Sequence, residues 1–143
     1  MEMKITFPGG KRVDAELNNR VISTDQPPGG GGEGSAPAPY DYFLASLGTC
    51  AGIYVLSFCQ ERGISTEGLA LTQRMEFAVD GGKSRLAKVD LEITLPSGFP
   101  VKYHNAIIKS AELCSVKKAL MNPPDFEISI QDTTNKQMNI NGN

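Results

Sequence analysis

The chain has 143 residues, of which 40% are hydrophobic and 21% charged, and its formal net charge at pH 7 is −2. This length fits one domain, so residues 1–143 are predicted to fold as a single unit. The near balance of charges and the lack of Trp argue against nucleic acid or an anionic membrane surface as a partner.

The N-terminal segment is predicted to form a three-stranded β-meander. Apolar and polar residues alternate over Lys4–Phe7 and Val13–Leu17, and Pro8-Gly9-Gly10 separates them, which is the pattern of a hairpin. Asn18-Asn19 marks another turn, and Arg20–Thr24 then adds the third strand.

Residues 25–39, DQPPGGGGEGSAPAP, are too rich in Gly and Pro for regular secondary structure. We expect a flexible connector that runs over the surface or along a subunit contact. A phosphate-binding loop is disfavoured, because neither Gly-Lys-Ser/Thr nor a GxGxxG strand–turn–helix context is present.

A long central helix is predicted from Pro39 to about Gly63. Pro39 suits the first helical position, Asp41 complements the helix dipole, and Gly63 stands where a left-handed C-cap belongs. Within Tyr40–Phe58 only Asp41 is formally charged, and apolar residues occur on every side. Such a helix must be buried all round, inside a domain, at a large interface or in a membrane.

Burial in protein is favoured over a membrane span for this helix. Its apolar stretch only just reaches the lower length limit for crossing a bilayer. Small and polar residues dilute its hydrophobicity, and amphipathic strands flank it on both sides.

The second half of the chain is predicted to form a hairpin, a helix and a final strand. Leu69–Val79 and Val89–Leu95 alternate apolar with polar residues around a Gly-containing turn, which indicates a hairpin with one buried face. A helix is predicted from Pro100 to about Met121, followed by a short strand at Phe126–Ile130. The tail after Gln131 is expected to fray. The order β-β-β-α-β-β-α-β indicates an α+β fold.

The chemistry-bearing candidates are three thiols, Cys50, Cys59 and Cys114, and one imidazole, His104. The odd number of cysteines, with no secretory signal evident at the N-terminus, favours a reducing compartment, so we expect the cytoplasm. There is no Cys-x-x-Cys and only one His, so no metal site is expected.

Helix geometry limits which of these groups can meet. Cys50 and Cys59 are separated by a rise of about 13.5 Å and cannot bond within one helix. His104 and Cys114 are likewise too far apart on the second helix to form a Cys–His dyad, which disfavours acyl transfer or hydrolysis. Cys114, on the apolar face of that helix, is the natural partner of Cys50. The alternative is that buried thiols only fill space, and we retain it for Cys59.

A reactive Cys50 also needs an activating group. It lies well past the helix start, beyond the reach of the dipole, and burial alone would raise the pKa of its thiol. We therefore expect a cation beside Cys50, contributed by an Arg of the N-terminal strands.

The chain resembles the OsmC/Ohr superfamily, the osmotically inducible and organic-hydroperoxide-resistance proteins. The resemblance covers nearly the whole chain and is carried by APAPYDYFLASLGTC and LCSVKKAL, with a hairpin between the two cysteines. The short length and the Cys-Ser-Val form are more similar to the YhfA-like branch.

This resemblance implies an interwound homodimer in which strands of both chains wrap two central helices. It also implies a thiol-dependent peroxidase that reduces organic hydroperoxides in oxidative-stress defence. Cys50 would attack the O–O bond, Cys114 would form a disulfide with it, and a dithiol reductant would restore both. No cofactor, metal or haem is implied.

The activating Arg of the family best matches Arg12, with Lys11 and Arg20 as alternatives. Better-characterised members place a Glu directly after the proline to orient that Arg, whereas here Tyr40 follows Pro39 and Asp41 comes next. Either Asp41 substitutes for that Glu or the Arg clamp is absent. If it is absent, the alternative function is a redox-responsive or small-hydrophobic-ligand-binding dimer without turnover.

Overall fold

A computed structural model describes residues 1–131 as a mixed α+β fold, which confirms the predicted class. The strands fall into two antiparallel sheets, one with the order β1-β2-β3 and one formed by β4 and β5. The elements are β1 Lys4–Gly9, β2 Arg12–Leu17, β3 Arg20–Thr24, α1 Pro39–Gln60, β4 Ala70–Asp80, β5 Lys83–Thr94, α2 His104–Ala111 and α3 Ser115–Met121.

The N-terminal sheet is the predicted meander. Ile5 pairs with Ala15, and Val13 with Thr24. At the second turn Asn18 and Asn19 both have positive φ, at 49° and 61°. Two consecutive left-handed residues give a turn whose twist suits a tight hairpin, and Asn tolerates this conformation well.

Both ends of α1 are where the sequence places them. The Asp41 carboxylate accepts a hydrogen bond of 2.9 Å from the Ala38 N–H and so satisfies a free donor at the helix start. At the other end Gly63 has φ 62°, and the Ile64 N–H donates to the Cys59 carbonyl at 2.9 Å. This is the left-handed glycine termination that the sequence predicts.

The chain itself buries only one face of α1. Leu47, Ala51, Val55, Phe58 and Cys59 are buried. On the opposite side Ile53 is 54% exposed, and only 28% of the most apolar window is buried. The single chain therefore does not bury α1 all round, and burial of the other face at a large interface stays a prediction. By length and composition alone α1 could also cross a membrane, which is weak evidence because core helices pass the same test.

The core lies where α1 meets α2 and the base of the hairpin. Val55, Phe58 and Cys59 pack against Phe99 and Ile107. Leu71 and Ile93, paired across β4 and β5, cover this cluster. The hairpin is as predicted, but its apolar residues are at most partly buried, and those at its base pack against the core. Beyond the irregularity in register at Glu76/Phe77, Phe77 and Val79 are exposed.

The predicted helix from Pro100 to Met121 is interrupted. It consists of a 3-10 turn at Val101–Tyr103, then α2, then α3, with a break at residues 112–114. Cys114 has φ −43° and ψ 118°, outside the helical region, and its sulfur accepts the Lys117 N–H at 3.3 Å. The sulfur thus caps α3 as Ser or Asp commonly does. No Gly or Pro marks the break in the sequence.

The final strand predicted at Phe126–Ile130 does not form. These residues have no regular structure, and the side chains of Phe126, Ile128 and Ile130 are 87%, 96% and 95% exposed. Alternation makes a strand only where a sheet edge is available to pair with it. The predicted fraying after Gln131 lies outside the described residues.

The Gly- and Pro-rich loop is ordered, which corrects the prediction of a flexible connector. Asp25 is buried and accepts hydrogen bonds from Gln26 N at 2.7 Å, Glu33 N at 3.2 Å, and Ser35 N and Oγ at 3.0 and 2.8 Å. These bonds, first among them the one from the Ser35 backbone, lower the pKa of Asp25 to about 2. One carboxylate therefore organises the segment that leads into α1.

Candidate active site

Two of the three thiols meet where α1 passes the break between α2 and α3. Cys50 is half-buried near the middle of α1, and Cys114 is buried at the start of α3. The Cys114 thiol is among the groups that lower the pKa of Cys50, and Cys114 Sγ lies 3.9 Å from the carbonyl oxygen of Leu47, three residues before Cys50. Cys114 is the last residue of this break, and its sulfur also caps α3.

The pKa of the Cys50 thiol is lowered by neutral hydrogen-bond donors. The largest cause is the backbone N–H of Val116, followed among the lowering causes by the Cys114 thiol and the backbone N–H of Ser115. Partial desolvation opposes them but does not outweigh them. Hydrogen bonds to an ionised sulfur favour the thiolate, which is the nucleophilic form.

The sequence predicted that a cation, contributed by an Arg of the N-terminal strands, would activate the Cys50 thiol. Within residues 1–131, no charged side chain is among the groups that shift the pKa of Cys50. Lys11, Arg12 and Arg20 are all exposed on the N-terminal sheet, and Arg12 Nε donates a 3.5 Å hydrogen bond to Gly9 O. The activating groups found in the chain are instead peptide N–H donors at the start of α3. Sequence reasoning missed them because it did not foresee the helix break.

Asp41 lies at the first turn of α1 and caps the helix. No ion pair joins it to Arg12 or to another basic residue in the described part of the chain; the ion pairs there are Arg62–Glu61, Arg74–Glu92, Lys88–Glu76 and Lys88–Asp90. Its proposed role in orienting an Arg therefore stays a prediction.

A polar link beside the two thiols was also not predicted. Tyr54, one turn after Cys50, has its hydroxyl oxygen 3.1 Å from Ser115 Oγ. The Ser110 hydroxyl, near the end of α2, donates to the Tyr54 carbonyl at 3.0 Å. Tyr54 is thus tied to both sides of the break that carries Cys114.

An apolar cavity of about 580 Å³ lies between β5 and the two short helices, with Cys114 in its wall. Its apolar lining includes Leu47, Leu91 and Ile107, and its ionisable lining residues are His104, Glu112 and Lys117. Its size and lining suit a small hydrophobic molecule.

Cys59 stands apart from this site. It is fully buried in the core, and desolvation raises the pKa of its thiol despite the nearby Arg62. This environment fits the space-filling role. Among residues 1–131 no cluster of His, Cys, Asp and Glu is suited to hold a metal ion.

Comparison with known proteins places this geometry in a family context. A family model described as OsmC-like protein matches residues 31–129. No curated protein matches the chain.

Several solved structures are similar over most of the chain. A protein of Psychrobacter arcticus 273-4 named for osmotic stress induction and a detoxification response is 27% identical, with TM-score 0.67 over 82% of this chain and 85% of its own. An organic hydroperoxide resistance protein OsmC of Legionella pneumophila is 22% identical, with TM-score 0.57 over 84% and 89%. An organic hydroperoxide resistance protein of Elizabethkingia anophelis is 20% identical, with TM-score 0.58 over 86% and 90%. At these identities the last two show likeness of fold.

Proposed function

The chain belongs to the OsmC-like protein family, and we propose that it is a thiol-dependent peroxidase that reduces organic hydroperoxides with Cys50 and Cys114. The observation that carries this proposal is the position of Cys114 against the turn of α1 that leads to Cys50, with Cys114 Sγ 3.9 Å from the Leu47 carbonyl oxygen; the lowered pKa of Cys50 supports it. The whole chain would then act as one OsmC-like domain.

The reaction has three steps, which are oxidation of Cys50 by the peroxide, formation of the Cys50–Cys114 disulfide, and reduction of that disulfide by a dithiol. The Cys50 thiolate attacks one peroxide oxygen, the O–O bond breaks, and the departing alkoxide takes a proton to become an alcohol. Cys50 is left as a sulfenic acid, oxidised by two electrons. The Cys114 thiol then displaces the sulfenic oxygen as water and forms a disulfide. A dithiol returns both residues to thiols by exchange and is itself oxidised to a disulfide.

An organic rather than an inorganic peroxide fits the surroundings. The cavity beside Cys114 is walled mainly by apolar side chains such as Leu91 and Ile107, which an alkyl group would cover. Leu47 of α1 lines the same cavity. Two structural neighbours are named as organic hydroperoxide resistance proteins, which supports the same substrate class.

We further propose that the working unit is a homodimer in the cytoplasm. The uncovered face of α1, with Ile53 at its centre, and the exposed apolar residues of both sheets need a covering surface. A second copy would supply it. Because Arg12 does not contribute to the pKa of Cys50 within one chain, any role for Arg12 or Asp41 in holding the thiolate depends on that second copy.

The test is peroxide consumption by the purified protein with an alkyl hydroperoxide and a dithiol. Cys50→Ser should abolish turnover, and Cys114→Ser should slow it, because the sulfenic acid at Cys50 must then be reduced directly by the dithiol. Cys59→Ser is the matched control, because that thiol is buried in the core away from the site. Full turnover by the Cys50→Ser variant would overturn the proposal.

A redox-responsive or ligand-binding dimer without turnover is the second candidate. It is favoured by the apolar cavity and by the lack of a charged group among those that activate Cys50 in residues 1–131. Binding of a fluorescent fatty-acid probe, with no peroxide consumed above the rate of the Cys50→Ser variant, would select this function over the first.

A further inference from the structure

We propose that Tyr54 is a positioning residue, whose hydroxyl holds Ser115 and thereby fixes the first turn of α3 against the Cys50 sulfur. This inference rests on the proposed function for its catalytic meaning. It is carried by hydrogen bonds that join Tyr54 to both segments flanking the helix break.

Tyr54 lies close to Cys50 on α1. It follows Cys50 by four residues, so the two side chains lie on the same face of the helix, one turn apart. Whatever Tyr54 binds is therefore held next to Cys50. The hydroxyl oxygen lies 3.1 Å from Ser115 Oγ, and Ser115 is the first residue of α3.

Because of the break, α3 is not supported by a continuous helix. Residues 112–114 carry no helical ladder across to α3, and α3 has only seven residues. A helix of this length has little stability of its own and takes its position from contacts. The peptide N–H donors that favour the Cys50 thiolate belong to its first two residues, Ser115 and Val116. Their direction therefore depends on what anchors that turn.

The turn of α1 that carries Tyr54 is also bonded to α2, on the other side of the break. The Ser110 hydroxyl donates to the Tyr54 carbonyl at 3.0 Å and fixes the end of α2 on the same turn of α1. Cys114 lies between these two attachments and caps α3 through the Lys117 N–H at 3.3 Å. The Ser110 bond is accepted by the main-chain carbonyl at position 54 and does not depend on the tyrosine side chain, so the hydroxyl itself holds only the α3 side of the break.

Tyr54→Phe removes only the hydroxyl and is the direct test. The measurement is the pH profile of Cys50 alkylation by iodoacetamide, resolved by peptide mass spectrometry on the resting protein. We expect its midpoint to rise and the rate at pH 7 to fall about threefold, since a misplaced α3 gives weaker hydrogen bonds to the thiolate. Ser115→Ala should have the same effect, and the double variant should be no worse than either.

Tyr42→Phe is the matched control. Its hydroxyl donates to the Ser23 carbonyl at 3.0 Å from another part of α1, so it loses the same kind of bond away from Cys50. Its alkylation profile should equal that of the wild type. If Tyr54→Phe and Ser115→Ala leave the profile where Tyr42→Phe leaves it, the proposal is overturned.

The assay separates this proposal from the peroxidase itself, because it uses no peroxide. A raised Cys50 midpoint in Tyr54→Phe, in a protein that consumes no hydroperoxide, would support the positioning role and reject the enzyme. Where turnover is present, the first-equivalent rate should fall about threefold with the thiolate fraction.

Discussion

The Cys50 thiol is activated within one chain by neutral N–H and S–H donors. These donors, led by the Val116 N–H, lower the pKa of Cys50, whereas desolvation raises that of Cys59. A thiol reacts as its thiolate, so its reactivity rises as the pH passes through its pKa. Cys50 should therefore become reactive at a lower pH than an ordinary thiol, and Cys59 at a higher pH.

We predict that the alkylation midpoint of Cys50 lies below that of an ordinary thiol and that the midpoint of Cys59 lies above it. Burial should also make Cys59 slow at every pH. Peptide-resolved alkylation of the wild-type protein between pH 5 and 10 gives both midpoints. A Cys50 midpoint at or above that of Cys59 would contradict this picture of the site.

Asp25 gives a second prediction at the level of one residue. Its pKa of about 2, below the ordinary 3.8, means that its stabilisation is present above 3.8 and is lost as the pH falls through about 2. Asp25→Asn should lower the melting temperature at pH 7, and the difference from wild type should shrink as the pH approaches 2. Thermal melts at both pH values measure this. A difference that is constant with pH would mean that the charge is unimportant.

Among the elements, the sequence predicted those whose signals are local. Gly63 and Asp41 define the ends of α1 through chemistry confined to one turn, and Asn18-Asn19 defines a hairpin in the same way. The break before α3 was missed because a sulfur replaces the usual capping oxygen and because its cause is a contact with α1. The Val116 and Ser115 donors were missed with it. The strand at Phe126–Ile130 was wrong because its sheet partner is not set by its own sequence.

The ordered loop makes a sharp prediction about one glycine. A Cβ at Gly32 would lie 1.9 Å from the Gln26 carbonyl oxygen and 2.7 Å from Asp25 Oδ1, so the backbone would have to move. Gly32→Ala should cost about 1–3 kcal/mol, as other forced overpacking does. Gly29→Ala is the control, because a Cβ there meets nothing within 4 Å. Equal unfolding free energies for the two variants, measured by urea denaturation, would show that the loop yields freely.

At the scale of the whole molecule, one face of α1 is left uncovered by its own chain. A helix that is apolar on every side but buried on one face by its own chain predicts a second copy on the other. We predict a mass in solution of about twice the 15.4 kDa chain. Ile53→Glu should shift sedimentation equilibrium towards the monomer, since the charge would be desolvated at the contact. Val101→Glu, at another exposed apolar position, should not. A monomeric wild type would reject the dimer.

We propose that Cys50 and Cys114 form one redox pair, and formation of a disulfide between them can be measured directly. One equivalent of an alkyl hydroperoxide is added to the reduced protein, the reaction is quenched within seconds by alkylation, and the peptides are mapped by mass spectrometry. We predict a Cys50–Cys114 disulfide as the main product, with Cys59 still a thiol. Cys50 carried on to sulfinic acid while Cys114 stays reduced, or no oxidation of either, would contradict it.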